Sequence, residues 1–163
     1  IAARGGDSSA VDFEYGMLAL RPAAFASARV NRDSALRSLL AMIRREPGVL
    51  RADRVVDLAR MDTTTDHIAR RWLHALPPDL GVDAVVTLEP FVYWPTVTYA
   101  THGSPHDYDA HVPLLLAGAG VRQGRYDAPV RVVDLAPTLA RILGVQVPER
   151  IDGRALAAAL RDR

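Results

Sequence analysis

Apolar residues at Leu36, Leu39, Leu40 and Ile43 follow the i, i+3, i+4, i+7 spacing of one buried helix face. Asn31 or Asp33 supplies the cap of this helix, and Pro47-Gly48 ends it. A second helix is predicted over about residues 64–76, with Ile68, Trp72, Leu73 and Leu76 inward and Pro77-Pro78 as its stop. A third is predicted over 134–143, burying Leu135, Leu139, Ile142 and Leu143, capped by Asp134 and terminated by Gly144. Asp152-Gly153 opens a last helix to about Arg161. Between these segments, Phe13–Leu20, Val49–Leu58, Val82–Leu88, Val112–Ala117 and the short Val130–Val133 read as strands. Val112–Ala117, Val-Pro-Leu-Leu-Leu-Ala, has the pattern of a buried strand. Residues 1–12 read as loop. Strands and helices alternate, which defines an α/β layered fold.

Composition narrows the function classes. The chain has 163 residues, 49% hydrophobic and 24% charged, which fits a folded domain or part of a larger one. Twenty basic residues, all Arg, face nineteen acidic ones for a net charge of +1. That balance excludes a nucleic-acid scaffold built on bulk basic charge. No apolar run is long enough to form a membrane-spanning helix. There is no Cys, so disulfides, thiolate zinc sites and thiol catalysis are excluded. The first residue is Ile, which leads to the expectation of a processed chain or a piece of a longer one.

The chemistry concentrates in Thr101-His102-Gly103-Ser104-Pro105-His106-Asp107-Tyr108-Asp109-Ala110-His111, three His and two Asp in eleven residues. Neutral imidazole is the commonest metal ligand near neutral pH, and loops at strand ends are where α/β folds carry their sites. The plain alternative is a polar surface loop rich in turn residues. The spacing is not that of a helical His-Glu-x-x-His zinc site.

The stretch THGSPHDYDAHVPLLL (Thr101–Leu116) resembles the segment carrying the last metal-binding His of the alkaline phosphatase superfamily, in the branch of bacterial alkaline phosphatases and type I phosphodiesterases. Val133-Asp134-Leu135-Ala136-Pro137-Thr138-Leu139, Leu143-Gly144-Val145, Pro148 and Asp152-Gly153-Arg154-Ala155-Leu156 extend the resemblance over residues 100–157. It implies the C-terminal part of a three-layer α/β/α sandwich, with 1–99 a middle part and 100–163 carrying the metal-ligand loop and closing helices. It further implies two zinc ions at the strand ends of a mostly parallel sheet and a Thr or Ser nucleophile acting on phosphate mono- or diesters. Carried over residue by residue, His102 matches a zinc ligand. Asp109 and His111 match supporting positions, Asp109 accepting backbone N–H groups in the loop and His111 orienting neighbours. His106 stands where the family usually has Tyr and is not read as a ligand.

The nucleophile motif and the D-x-x-x-H motif are missing, so the chain alone is expected to be inactive, and no catalytic residue is assigned within it. The expected partners are a phosphate ester in the intact enzyme and either a missing N-terminal segment or a second copy of the chain. A periplasmic or secreted location follows from the resemblance only. Two rival readings stay open: a stand-alone, non-catalytic α/β interaction domain, and part of a sulfatase-like esterase. Asp66-His67 lacks the Gly that follows the family's D-H pair and reads as an exposed helical pair, and His74 as a surface residue. Arg44, Arg45, Arg51 and Arg54 interleave with Asp53 and Asp57, the pattern of a solvated face. Trp72 reads as core, while Tyr93, Trp94 and Tyr99 are candidates to line a pocket.

Overall fold

The computed structural model describes residues 8–77, 79–94, 101–147 and 150–161. The chain divides into two compact units, residues 1–112 and 113–163. Pro78, Pro95, Tyr99 and Pro148 lie outside the described residues.

The first unit is built on four strands, β1 (Val11–Glu14), β2 (Met17–Leu20), β3 (Val49–Arg54) and β4 (Ala84–Leu88), in the order β1-β2-β4-β3. Every described pairing is antiparallel. The segment Phe13–Leu20, expected as one strand, is instead split into a hairpin by Tyr15-Gly16. Both central residues have positive φ, 47° and 84°, as a type I′ turn requires. Gly16 is also needed for space, because a Cβ there would sit 2.7 Å from the Val86 carbonyl oxygen. The expected strand Val49–Leu58 stops at Arg54, and Val55–Leu58 forms a short helix, α3.

Helices cover both faces of this sheet. On one side α1 (Pro22–Ser27) and α2 (Arg32–Ile43) bury Phe25, Leu36 and Leu40 with Leu18, Leu20, Ala52, Ala84 and Val86. On the other, α3 and α4 (His67–Ala75) bury Leu58, Ala69 and Trp72 with Val85. The alternation of Ala84 and Val86 against Val85 along β4 is what a strand buried on both faces requires. Asn31 caps α2 by accepting the Ser34 N–H at 2.8 Å. The arginines of β3 are paired: Arg51 with Asp53 and Asp66, and Arg54 with Asp57 and Asp33. Arg44 donates through its Nε to the Ala52 carbonyl at 2.9 Å.

In the second unit Val112–Ala117 and Val130–Val133 form no strand; Val112 belongs to the end of the first unit and Leu115 is 90% exposed. A strand exists only where its backbone finds a partner, and this run finds none among the described residues. The last helix shrinks to a 3-10 turn at Ala157–Ala159. The expected 134–143 helix is present as α5 (Leu135–Leu143). Its C-terminal Gly144 takes φ 71°, the left-handed cap. Its packing differs from expectation: Leu139 is 48% exposed, while Pro137 and Thr138 are buried.

Polar bonds explain the difference. The buried Asp134 carboxylate accepts the N–H groups of Arg131 and Arg154, each at 2.9 Å, instead of capping α5. The Arg154 and Arg131 N–H groups hold this carboxyl below the usual carboxylate range. Thr138 Oγ1 donates to the Asp134 carbonyl at 2.6 Å and accepts the Leu156 N–H at 3.0 Å. The side of the helix bearing Thr138 is therefore pinned to the 154–156 segment. Gly153 closes the arrangement, since a Cβ there would lie 1.9 Å from the Val133 carbonyl oxygen.

Thr138→Val should therefore destabilise the chain by about 1–3 kcal/mol by orphaning buried backbone groups. Leu139→Ala should cost less than about 0.5 kcal/mol, as surface changes do. Chemical denaturation of the two variants checks the order; a larger cost at Leu139 would restore the apolar stripe as the buried face.

Candidate functional site

The loop from Thr101 to His111 sits at the C-terminal end of β4. The expected neighbour was a strand at Val112–Ala117. Three attachments hold the loop. His106, buried, donates from Nε2 to the carbonyl of Leu88, the last residue of β4, at 2.7 Å. Arg71 of α4 donates to the Pro105 carbonyl at 2.8 Å and to the Asp107 carboxylate at 2.6 Å. The Asp109 carboxylate accepts the Ser104 N–H at 2.6 Å.

The Asp107–Ala110 turn of helix carries Tyr108 against Phe91. The Tyr108 hydroxyl oxygen accepts the Phe91 N–H at 3.0 Å, and the two rings stack with centroids 4.6 Å apart. The His106 ring stacks on Tyr108 from 5.5 Å. Phe91 takes φ 65°, a left-handed conformation that costs a bulky residue on the order of 1–3 kcal/mol.

These elements enclose a cavity of about 290 Å³, walled by Tyr15, Trp72, Phe91, Tyr93 and Trp94, with His102 and Asp109 among its polar lining. The Trp72 indole is nearly buried and donates to Thr87 Oγ1 at 2.8 Å, so it is core and wall at once. Trp94 packs edge-on against Phe13, centroids 4.9 Å apart.

His102 is exposed and lines this cavity. Asp109 is half-buried and lines it too. Burial pushes the Asp109 carboxyl up, but hydrogen bonds from the Ser104 backbone and hydroxyl and from the Gly103 backbone outweigh this and hold it below the usual carboxylate range. His111 is exposed just past the helical turn, where its N–H reaches the Asp107 carbonyl at 2.8 Å; it is not part of the cavity lining. Asp66 caps α4 by accepting the Ala69 N–H at 2.9 Å and pairs with Arg51, while His67 and His74 are exposed. Arg71, Phe91 and Tyr15 were not singled out in the sequence. The Tyr15-Gly16 pair between alternating segments was a usable hairpin signal; Arg71 sits on an ordinary helix face and gave none.

Among the described residues no three His, Asp or Glu side chains gather as a metal site. A catalytic zinc needs about three protein ligands, so the described residues do not by themselves fit one.

No family model matches the chain. Proteins similar to it include alkaline phosphatases, a protein named as a calcium-transporting ATPase, and sulfatases. Alkaline phosphatase PafA of Elizabethkingia meningoseptica is 35% identical over 60 residues, 37% of this chain and 11% of that protein. Alkaline phosphatase PhoV of Synechococcus elongatus is 29% identical over 120 residues, 72% of this chain and 21% of that protein. Arylsulfatase K of Xenopus laevis is 38% identical over 58 residues, 35% of this chain and 11% of that protein. The crystal structure of wild-type PafA matches with a TM-score of 0.84 at 20% identity, covering 98% of this chain and 31% of that one. The fold is thus that of part of an alkaline phosphatase, and the chain spans less than a third of the relatives named here.

Asp109→Asn should speed hydrogen exchange at the Ser104 amide by about tenfold or more, the loss of a charge-assisted bond. Because the folded carboxyl titrates below its unfolded value, its support is full above about pH 4 and fades as pH falls through the folded pKa. Exchange measured against pH should show protection lost on the acid side in the native chain and a flat profile in the variant.

Proposed function

We propose that this chain is part of a zinc-dependent phosphohydrolase acting on phosphate mono- or diesters through a Thr or Ser phospho-enzyme. The nucleophile and the other metal ligands lie outside these residues. Residues 1–99 form a middle part of the α/β domain, and 100–163 the C-terminal part. His102 supplies one zinc donor. Asp109 fixes the loop behind it, and His111 orients neighbouring groups. The observation that carries this reading is the exposed His102 beside a cavity, on a loop fastened at the end of a central sheet strand by Leu88, Arg71 and Asp109. A loop held by a rigid strand end is where sites are commonly carried, here on an antiparallel sheet in place of the mostly parallel one the resemblance implied. The alkaline phosphatase relatives supply the chemistry. The intact protein is placed in the periplasm or outside the cell on the resemblance alone.

A sulfatase-like esterase is the second reading, favoured by the arylsulfatase relatives. Its substrate would be a sulfate ester in place of a phosphate ester.

The purified 163-residue chain should not hydrolyse p-nitrophenyl phosphate with added zinc. A longer natural protein containing it should do so, and His102→Ala there should lower both zinc content and kcat/KM by at least about a hundredfold for activity, the scale of losing one metal-ligand contact and more. Hydrolysis of p-nitrophenyl sulfate alone would select the second reading. Full activity with His102→Ala would remove both.

A further inference from the structure

We propose that the aromatic cavity is a leaving-group subsite that takes the flat aromatic ring of an aryl ester, with the charged ester group held outside it at the His102 edge. This rests on the ester-hydrolase reading and adds the substrate class to it. Charge argues for the division. Among the described residues the cavity lining contains no Arg, while it does contain Asp109, whose carboxyl is ionised and would repel a phosphate drawn into the interior. Its walls are instead aromatic rings, filled in by Val86, Leu88, Val92 and Pro105. A cavity of about 290 Å³ is at the small end of the range for small-molecule sites, of a size for one ring with its substituents.

The ring stack explains the choice of a flat partner. His106, Tyr108 and Phe91 form a stacked column, and Phe91 ends it with 80% of its surface exposed. The left-handed backbone at Phe91 is held by the Tyr108 hydroxyl. A strained aromatic residue presented with an open face at a cavity is a site for another ring to extend the column.

The test uses the full 163-residue chain labelled with ¹⁵N, whose two Trp give two indole N–H resonances, both from residues of the cavity wall. Phenol, phenyl phosphate and methyl phosphate are titrated separately. Phenol and phenyl phosphate should shift the indole signals saturably, and methyl phosphate should leave them in place. Tyr93→Ala and Phe91→Gly should each weaken phenol binding about tenfold, the scale of one stacking contact. Phe91→Gly removes the ring while relieving the left-handed backbone, so it does not depend on a strained variant folding. No shift with phenol and phenyl phosphate, equal response to methyl phosphate, or unchanged affinity in both variants would overturn the subsite. Phenol carries no phosphate, so loss of its binding with hydrolysis intact in the longer protein overturns the subsite alone. Phenol binding in a longer protein that hydrolyses no ester would overturn the leaving-group role through the parent reading.

Discussion

Burial of β4 on both faces is the constraint on which the first unit depends. Ala84, Val85, Val86 and Thr87 are all nearly inaccessible, and alternate residues enter different cores. A strand so placed must pair along both edges, and β2 and β3 do so. It must also satisfy any polar side chain it carries, and the Trp72 indole does this for Thr87. The helices above and below are recruited by the same requirement, since each apolar face needs a cover.

The site inherits its rigidity from that strand. The Leu88 carbonyl, where sheet pairing runs out, is free to accept from His106, and the loop is hung from it. Arg71 reaches the same loop from α4, whose position is set by Trp72 and Ala69 in the core beneath. Core, strand end and candidate ligand are thus linked by few bonds. The two left-handed aromatic residues at the cavity, Tyr15 and Phe91, are strained where the chain turns away from β1 and from β4. Strain tolerated at a cavity wall is commonly the mark of a function.

Much of the first unit was legible because its elements are local. The Leu36/Leu39/Leu40/Ile43 stripe and the Asn31 cap specify α2 without reference to anything distant, and Leu36 and Leu40 are indeed buried. The loop 101–111 was legible from its composition. What the sequence hid was pairing. Val112–Ala117 has the apolar content of a strand, but content does not supply a hydrogen-bonding neighbour. The apolar stripe of the 135–143 helix was misleading for a related reason: Asp134 and Thr138 form long-range bonds to 154–156 that turn a polar edge inward. Arg71 was invisible because its partners lie more than thirty residues away, at Pro105 and Asp107.

Every ion pair given for the described residues uses Arg as its cation. A lysine ammonium is a compact point charge, whereas a guanidinium is planar and presents its donors as a rigid fork. The electrostatic framework is therefore built from forks that can hold two acceptors at once, as Arg71 holds the Pro105 carbonyl and the Asp107 carboxylate of the loop. A single side chain of this kind joins a helix to a loop through two acceptors, which one point charge would not fix in orientation.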